Sequence, residues 1–369
     1  MLSDTQLSAT LTEVAENGLA IAASRIGLSM SQVRRRINYA VQRGILQEEE
    51  AEGLRKSGGE EVEIEQPPNA DETAEELLAR GKKKWARIHE RAEALKLIPV
   101  KTSDPLPIGL ANFGDLHVDD DGCNLPLLEA HTQAVAETDG MYAQSVGDLQ
   151  NGWPGRLSHL YGHQNATARQ AWTLLEWWLT TLGEKLLFVV SGNHDAWTRG
   201  VNGVDPISWV RTQAGLNYLY EPDGVRIALH HPEFERRFKR PITINARHDF
   251  RGKSIFNTAH GLVKAAIAGW RDDLLLAGHT HVSGYSPVKD PATGLVSHCL
   301  RIASYKHVDS YATQHGLPDQ NIFECPVAII DPYHEDPRHV IRIHLDPLDA
   351  ADYLPWLRKK RAGGDRHKK

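Results

Sequence analysis

The chain has 369 residues, of which 41% are hydrophobic and 24% charged, and its formal net charge at pH 7 is −6. This composition is typical of a globular protein, and the acidic balance excludes a protein that coats nucleic acid with its whole surface. Cys123, Cys299 and Cys325 are too few, and odd in number, for a disulfide framework, which predicts a cytoplasmic location. No apolar run approaches the roughly 18–20 residues that span a bilayer, and no signal peptide is apparent, so we expect no membrane association.

Residues 1–47 predict a small all-helical domain that resembles a helix-turn-helix. Two helical patterns flank Gly27-Leu28-Ser29, with a serine at 29 or 31 placed to cap the second helix and Gly44 to end it. Three arginines at 34–36 lie near the start of the second helix, where a recognition helix contacts the DNA major groove. DNA binding is one hypothesis for this domain, and a protein-docking bundle whose arginines face solvent is the other.

Residues 48–100 predict an acidic linker followed by a charged helix. The stretch EEEAEGLRKSGGEEVEIEQPPNADE has few large apolar residues and contains Gly-Gly and Pro-Pro, which favours a flexible segment. The helix that follows ends before Pro99. At the other end of the chain, residues 351–369 predict a basic, disordered tail that either binds a polyanion or is simply solvated.

Residues 101–350 predict a single α/β domain, because short apolar runs alternate with longer helical patterns. Five of these runs read as strands: 108–113, 142–146, 186–190, 242–246 and 274–277. They lead into the sequences GDLH, GDLQN, GNHD, RH and GHTH, respectively. Ligand sites of α/β sheets gather at strand ends, so five such ends in one domain indicate a common site.

The residue types at these strand ends predict a site for two metal ions. Aspartate and histidine together suit Mn²⁺, Fe²⁺ or Zn²⁺. On an extended segment, a D-x-H or H-x-H spacing places both side chains on one side of the chain. Two ions about 3.5–4 Å apart can activate a water molecule and hold a phosphoryl oxygen, and a nearby imidazole can protonate the leaving oxygen.

The five sequences, in this order over residues 105–285, resemble those of the calcineurin-like metallophosphoesterase superfamily. The resemblance implies an α/β fold with two sheets packed as a sandwich and flanked by helices. It implies that Asp115, His117 and His281 bind a first metal ion, that Asp148 bridges both ions, and that Asn193, His248 and His279 bind the second. It further implies that His194 contacts phosphate as the general acid and that Asp195 orients the His194 ring.

Two positions depart from the family pattern or leave a choice open. Many members have an aspartate followed by an arginine where this chain has Asn151 and a glycine, so a phosphate-binding cation is missing there. The arginines that we consider as replacements are Arg156, Arg199 and Arg247. In the fourth block, His248 ends a strand pattern, whereas its competitor His260 lies in a helical stretch, so we prefer His248 as the ligand.

The function expected from this resemblance is that of a metal-dependent phosphoester hydrolase with two ions, Mn²⁺ first and Fe²⁺ or Zn²⁺ as alternatives. The layout of helix-turn-helix, acidic linker and esterase is similar to that of phage or prophage metallophosphoesterases, which favours a phosphodiesterase that acts on DNA. One alternative is a phosphomonoesterase for small molecules or proteins. Another is a DNA-binding regulator whose esterase-like domain is a non-catalytic scaffold. The sequence does not predict an oligomeric state.

Overall fold

The computed structural model describes residues 2–57, 71–308, 313, 316 and 321–364. The chain divides into two compact units, residues 1–80 and 81–369. Part of the predicted linker (58–70) and the last residues of the predicted tail (365–369) lie outside the described residues. Among the helices that the structure describes, none combines the length and apolar character needed to cross a membrane.

The first unit is a bundle of helices. Its bounds are α1 Asp4–Asn17, α2 Leu19–Arg25, α3 Met30–Gln42 and α4 Glu48–Lys56. The Ser29 side chain accepts the backbone N–H of Gln32, whose own side chain accepts the N–H of Ser29, so Ser29 is the cap that starts α3. The apolar core of the bundle includes Val14, Val33 and Ile37.

The helical bundle continues past residue 47, where the sequence predicted the linker to begin. Helix α4 buries Ala51 completely against the core of α1–α3. The helix dipole is stabilised at both ends, by three glutamates in the first turn and by Arg55 and Lys56 in the last turn. In residues 48–56, the acidic composition therefore marks a helix start rather than a flexible segment. The predicted charged helix follows as α5 Ala74–Ala94, and none of its residues is buried.

The second unit contains two mixed six-stranded sheets. The first has the order β1-β6-β7-β8-β10-β9 and the second the order β12-β11-β2-β3-β4-β5. The strands are β1 Ile98–Lys101, β2 Ile108–Phe113, β3 Met141–Ser145, β4 Leu186–Val190, β5 Leu219–Glu221, β6 Val225–His230, β7 Ile242–Ala246, β8 Leu274–Ala277, β9 Gly284–Lys289, β10 Val296–Arg301, β11 Val327–Ile330 and β12 Ile341–His344. The helices are α6 Leu125–Glu137, α7 Ala168–Leu182, α8 Asn193–Asn202, α9 Pro206–Gln213, α10 Pro232–Phe238, α11 His260–Ala268 and α12 Pro347–Gly364.

The two sheets pack face to face, and helices cover their outer faces. The central core joins apolar residues of both sheets, among them Ile108 and Phe188 from the second sheet and Ile244 and Leu276 from the first. Helices α6, α7 and α12 pack on the outer face of the second sheet, and α11 packs on the first. This arrangement confirms the predicted α/β fold with two sheets flanked by helices and an N-terminal helical unit.

The strand directions bring the predicted polar segments to one region. Strands β2, β3 and β4 are parallel neighbours in the second sheet, and β7 and β8 are parallel neighbours in the first. These are the five predicted strands, and their observed bounds agree with the sequence to within one residue. Since parallel strands end at the same edge of a sheet, the loops that follow them meet there.

The basic tail predicted from residue 351 begins as helix rather than as a disordered segment. Helix α12 runs through Gly364 and buries Leu354 and Leu357. Two of its basic residues are also bound, because Arg358 pairs with Asp104 at 2.9 Å and Arg361 Nε donates to Asp331 at 3.1 Å. The apolar residues between the charges therefore fix this segment to the second sheet.

Candidate metal centre

A first group of possible ligands lies where β2 and β8 end. It consists of Asp115, His117 and His281, whose ligand atoms all lie within 4.8 Å of one another. The Nε2 atoms of His117 and His281 are 3.1 Å apart, and His281 Nε2 is 3.8 Å from Asp115 Oδ1. Asp115 and His117 are buried, whereas His281 is partly exposed. One carboxylate and two imidazoles on a single ion are a donor set that suits Mn²⁺, Fe²⁺ or Zn²⁺.

A second group lies where β3, β7 and β8 end and contains Asp148, His248 and His279. The amide oxygen of Asn193 is 3.0 Å from His248 Nε2 and 2.9 Å from His279 Nδ1. His248 Nε2 is also 3.1 Å from Asp148 Oδ2. The backbone carbonyl of Val146 lies 2.9 Å from His248 Nδ1, so His248 can donate from Nδ1 and present Nε2 as the ligand atom.

Asp148 connects the two groups. In addition to its place beside His248, it belongs to a third group with His117 and His194. Its Oδ1 accepts the backbone N–H of His194 at 2.8 Å, at the start of α8. A carboxylate with neighbours on both sides is suited to bridge two cations. The structure thus brings all seven sequence-predicted ligands together, and the competitor His260 belongs to none of the groups found among the described residues.

Five of these side chains extend from backbone in the left-handed region. The φ angles are 48° for Asp115, 45° for His117, 53° for Asp148, 73° for His279 and 54° for His281. The prediction that the D-x-H and H-x-H pairs share a face of an extended segment is therefore wrong. Tight turns after the strands bring these side chains together instead. Left-handed non-glycine residues are uncommon and strained, and their clustering here is a signature of a functional site.

Two glycines let the backbone press against the carboxylates of this centre. A Cβ atom at Gly192 would overlap the Asp148 carboxylate and backbone nitrogen, and one at Gly278 would overlap the Asp115 carboxylate. Gly192 has a φ of −85°, so this position requires glycine for lack of space rather than for its turn. The glycines of GNHD and GHTH therefore allow two chain segments to meet at the ligands.

Asp195 does not orient the His194 ring, contrary to the sequence-based prediction. Its Oδ2 accepts the backbone N–H groups of Asp148 and Gly192, each at 2.9 Å, and its Oδ1 accepts that of Leu149 at 3.1 Å. Both carboxylate oxygens are thus used by the backbone. Because α8 begins at Asn193, a carboxylate in its first turn caps the helix and holds the Asp148 turn at the same time.

The His194 ring is enclosed by other rings. Its centroid lies 4.8 Å from those of His117 and Trp153 and 4.6 Å from that of Trp197. Its Nδ1 is buried and has no hydrogen-bond partner in the described part of the chain. Burial is the main cause that lowers the pKa of His194 to about 4, against the opposing effect of Asp148. Among the site residues, His194 therefore retains hydrogen-bonding capacity for a further group.

The electrostatics of the centre fit bound cations. Burial raises the pKa of Asp115 to about 6 and that of Asp195 to about 7, and the nearby Asp148 raises both further. Burial also acts to raise the pKa of Asp148, but His248 outweighs it and holds this pKa below its ordinary value. Buried carboxylates crowded together need positive charge. A divalent ion would supply it in place of the His248 proton, because imidazoles bind metal ions in their neutral form.

Two of the three arginines considered for phosphate binding contact other groups. Arg199 Nη1 lies 3.8 Å from an Asp205 carboxylate oxygen. The guanidinium of Arg247 lies over the rings of Phe250 and Trp270. The side chain of Arg156 is outside the described part of the structure.

Several residues that lie near the centre could not be identified as site residues from the sequence. Two of them, Trp153 and Trp197, lie beside His194. The other four form a polar network behind His117 and are Asp119, Asp120, Gln164 and Lys306. Only their proximity in sequence to GDLH, GDLQN or GNHD, or to the end of β10, could have drawn attention to them.

No protein-family profile and no curated protein matches the chain. Among solved structures, Vps29 from Cryptosporidium parvum is similar at 12% identity and a TM-score of 0.33, over 61% of this chain and 86% of that one. A metallophosphoesterase from Sphaerobacter thermophilus is similar at 15% identity and a TM-score of 0.29, over 64% of this chain and 87% of that one. A predicted phosphoesterase from Streptococcus pneumoniae has 15% identity and a TM-score of 0.27, over 64% and 97%. Function therefore has to be inferred from the residues of the site.

Proposed function

We propose that this protein is a phosphoester hydrolase of the calcineurin-like metallophosphoesterase type that uses two divalent metal ions. The observation that carries the proposal is the position of the buried Asp148 carboxylate between two imidazole-rich groups of candidate ligands. Structural sites for a single ion need no such sharing, whereas hydrolysis of phosphoesters by paired ions does.

The residues divide naturally between two ions. Asp115, His117 and His281 would hold one ion, Asn193, His248 and His279 would hold the other, and Asp148 would contact both. When bound, such ions lower the pKa of water and neutralise charge on phosphoryl oxygens. Mn²⁺ is our first choice, and Fe²⁺ and Zn²⁺ suit the same donors.

His194 would act on the phosphoester itself. Its ring lies next to His117, and its buried Nδ1 has no partner among the described residues. A phosphoryl oxygen or leaving-group oxygen would supply that partner. Its negative charge would raise the pKa of His194 above the value of about 4 that burial imposes, so that the protonated ring would bind the substrate and donate to the leaving oxygen as the ester bond breaks. Asp195 would act through Asp148, because it holds the backbone from which Asp148 extends.

A nucleic acid is the substrate that we favour. In α3, Arg34 and Arg35 are exposed and near the capped start of the helix, which is where positive charge can contact a phosphate backbone. Arg36 is committed to the bundle, because its Nη1 donates to Thr10 Oγ1 at 3.0 Å. A DNA-binding module on the same chain would raise the local concentration of phosphodiester bonds at the metal centre.

The test starts with metal binding. Calorimetric titration of the metal-stripped chain with Mn²⁺ should show that two ions bind per chain. Asp148→Ala should lose binding, because it removes the shared ligand. His260→Ala is the matched control, because His260 belongs to none of the ligand groups found among the described residues. Two ions bound at full affinity by Asp148→Ala would contradict the bridging role.

The substrate panel would pair labelled single- and double-stranded DNA with p-nitrophenyl phosphate and its bis ester. Loss of DNA cleavage in His194→Ala, with Mn²⁺ still bound, is the expected result. Cleavage of simple monoesters alone would favour the phosphomonoesterase alternative. Binding of DNA and metal without any hydrolysis would favour a regulator with a non-catalytic esterase-like domain. Arg34→Ala combined with Arg35→Ala should weaken DNA binding, with Lys56→Ala as the control in the same helical unit.

A further inference from the structure

His117 has one nitrogen directed to the metal centre and one directed away from it. Its Nε2 lies 3.1 Å from His281 Nε2, and its Nδ1 lies 2.7 Å from the side-chain oxygen of Asn151. A neutral imidazole carries its proton on one nitrogen only, so the group at Nδ1 decides whether Nε2 is free to bind a cation.

The surroundings of Asn151 fix which end of its amide faces His117. The Nδ2 atom donates to Asp120 Oδ2 at 2.9 Å and to Gln164 Oε1 at 3.1 Å. Asp120 is a carboxylate that also pairs with Lys306 at 3.0 Å, so it can only accept. The amide oxygen of Asn151 is therefore the end that faces His117 Nδ1, and it accepts a proton there.

The orientation of Gln164 is fixed independently. The indole Nε1 of Trp153, which can only donate, lies 3.3 Å from Gln164 Oε1. The opposite end of the same amide donates to Asp119 Oδ2 at 2.8 Å and to the Ala166 carbonyl at 3.2 Å. A reversed Gln164 would place donors against the indole and against Asn151, and an acceptor against the Asp119 carboxylate.

We infer that Asn151 is a positioning residue that holds His117 in the tautomer with the proton on Nδ1, so that Nε2 is available as a ligand atom. The purpose assigned to this arrangement, which is metal binding, rests on the proposed function. The tautomer itself is a property of the metal-free chain. Asn151 would thus have a specific task at the position where the sequence pattern leads one to expect an aspartate.

Two measurements test this inference. In metal-free protein with ¹⁵N-labelled histidine, long-range ¹H–¹⁵N spectra report which nitrogen of each neutral ring is protonated, and the His117→Gln variant identifies the His117 signals. We expect a protonated Nδ1 in the native chain and loss of that preference in Asn151→Leu. Titration with Mn²⁺ should then show a 10–100-fold weaker affinity for Asn151→Leu, the range typical of lost hydrogen bonds to metal-binding histidines.

Three variants separate this role from general damage. Asn151→Asp keeps an acceptor for His117 but faces the Asp120 carboxylate, so it should lose stability while it retains the tautomer. Asn165→Leu removes an amide from the same part of the chain, where it contacts Asp121 rather than His117, and should keep native affinity. Asn151→Ser, which is too short to reach Nδ1, replaces Asn151→Leu if that variant does not fold.

The outcomes distinguish this inference from the proposed function. A proton on Nε2 of His117 in the native chain, or native tautomer and affinity in Asn151→Leu, would overturn the role of Asn151. A native chain that has the expected tautomer but binds no Mn²⁺, Fe²⁺ or Zn²⁺ would leave the role of Asn151 intact and overturn the proposed function.

Discussion

The carboxylate of Asp195 accepts the backbone N–H of Asp148 at 2.9 Å. A side chain in the first turn of α8 therefore holds the backbone of the loop that follows β3. Its second oxygen accepts the N–H of Leu149 at 3.1 Å. Asp195 is buried, and burial together with the Asp148 carboxylate raises its pKa to about 7. Asp195 therefore links the end of β3 to the start of α8.

Asp195→Asn should lower the free energy of unfolding by about 1–3 kcal/mol, because one end of the amide presents donors to backbone N–H groups that then lose their acceptor. Denaturant unfolding of the metal-free chain measures this loss. Asp121→Asn, at an exposed contact with Asn165, should change stability little. Native stability of Asp195→Asn would mean that these backbone bonds contribute nothing to the fold.

Gly192→Ala should disrupt the centre without removing any ligand. The added methyl group would overlap the Asp148 carboxylate and its backbone nitrogen. Overpacking of this kind costs about 1–3 kcal/mol, and the strain would fall on Asp148. We expect a lower melting temperature and weaker Mn²⁺ binding. Gly200→Ala in the same helix meets no atom within 4 Å and should be neutral or stabilising. Equal metal affinity in both variants would show that Asp148 moves freely.

The backbone strain at the ligands gives a third prediction. His281 has a φ of 54°, which glycine adopts readily and alanine does not. His281→Gly and His281→Ala both remove the imidazole, but the glycine variant should be more stable by about 1 kcal/mol. The exposed helical residue Lys264 is the control, since Lys264→Gly should be less stable than Lys264→Ala. The same order at both positions would argue against strain at His281.

The strands, and the meeting of the seven candidate ligands in one place, could be predicted because each signal is local. An apolar run followed by a polar motif identifies a strand end, and parallel strands bring such ends together. The turns at Asp115 and His117 could not be predicted, since left-handed φ angles of 48° and 45° are imposed by packing of several loops. The D-x-H spacing therefore pointed to residues that do come together, but for the wrong geometric reason.

The contacts of Asp195 and Asn151 depend on segments far apart in sequence. Asp195 follows His194 in the chain, which suggested a contact between their side chains, yet it binds the backbone of Asp148, 47 residues away. Asn151 reaches His117 across 34 residues. Local composition was also misleading at α4. A run of glutamates there predicted a linker, but it starts a helix that buries Ala51.

The buried His298 should make stability depend on pH. It is 5% exposed, and its Nδ1 lies 2.8 Å from the Tyr285 hydroxyl. Burial lowers its pKa to about 4, against the opposite effect of Asp273, so in mildly acidic solution the unfolded chain binds a proton that the folded chain does not. The stabilisation is present above the unfolded pKa of about 6.5 and is lost as the pH falls towards 4.

At pH 5 this difference amounts to about 1–2 kcal/mol of unfolding free energy relative to pH 7.5. His298→Gln keeps a polar group opposite Tyr285 but cannot take up the proton. Its loss of stability between pH 7.5 and pH 5 should therefore be smaller than that of the native chain by the same amount. Denaturant unfolding curves at the two pH values measure it. Identical losses in both chains would mean that His298 does not remain neutral when folded.

Arg301 should prove essential for the loop that carries His279 and His281. It is buried at the end of β10, where its Nη1 donates to the Gly278 carbonyl at 2.7 Å and its guanidinium also contacts Asp249 at 3.1 Å. Arg301→Lys keeps the charge but cannot reach these partners together with the Thr258 carbonyl, which Nε contacts at 2.8 Å.

We expect Arg301→Lys to lower the free energy of unfolding by about 1–3 kcal/mol, because buried acceptors lose their donor. The loop would also hold its two histidines less firmly, so Mn²⁺ affinity should fall by about tenfold or more, as it does when groups that orient metal-binding histidines are lost. Arg271→Lys is the matched control, since Arg271 makes a more exposed pair with Asp290. If Arg301→Lys loses stability but binds Mn²⁺ as the native chain does, Arg301 supports the sheet and does not hold the loop in place for His279 and His281.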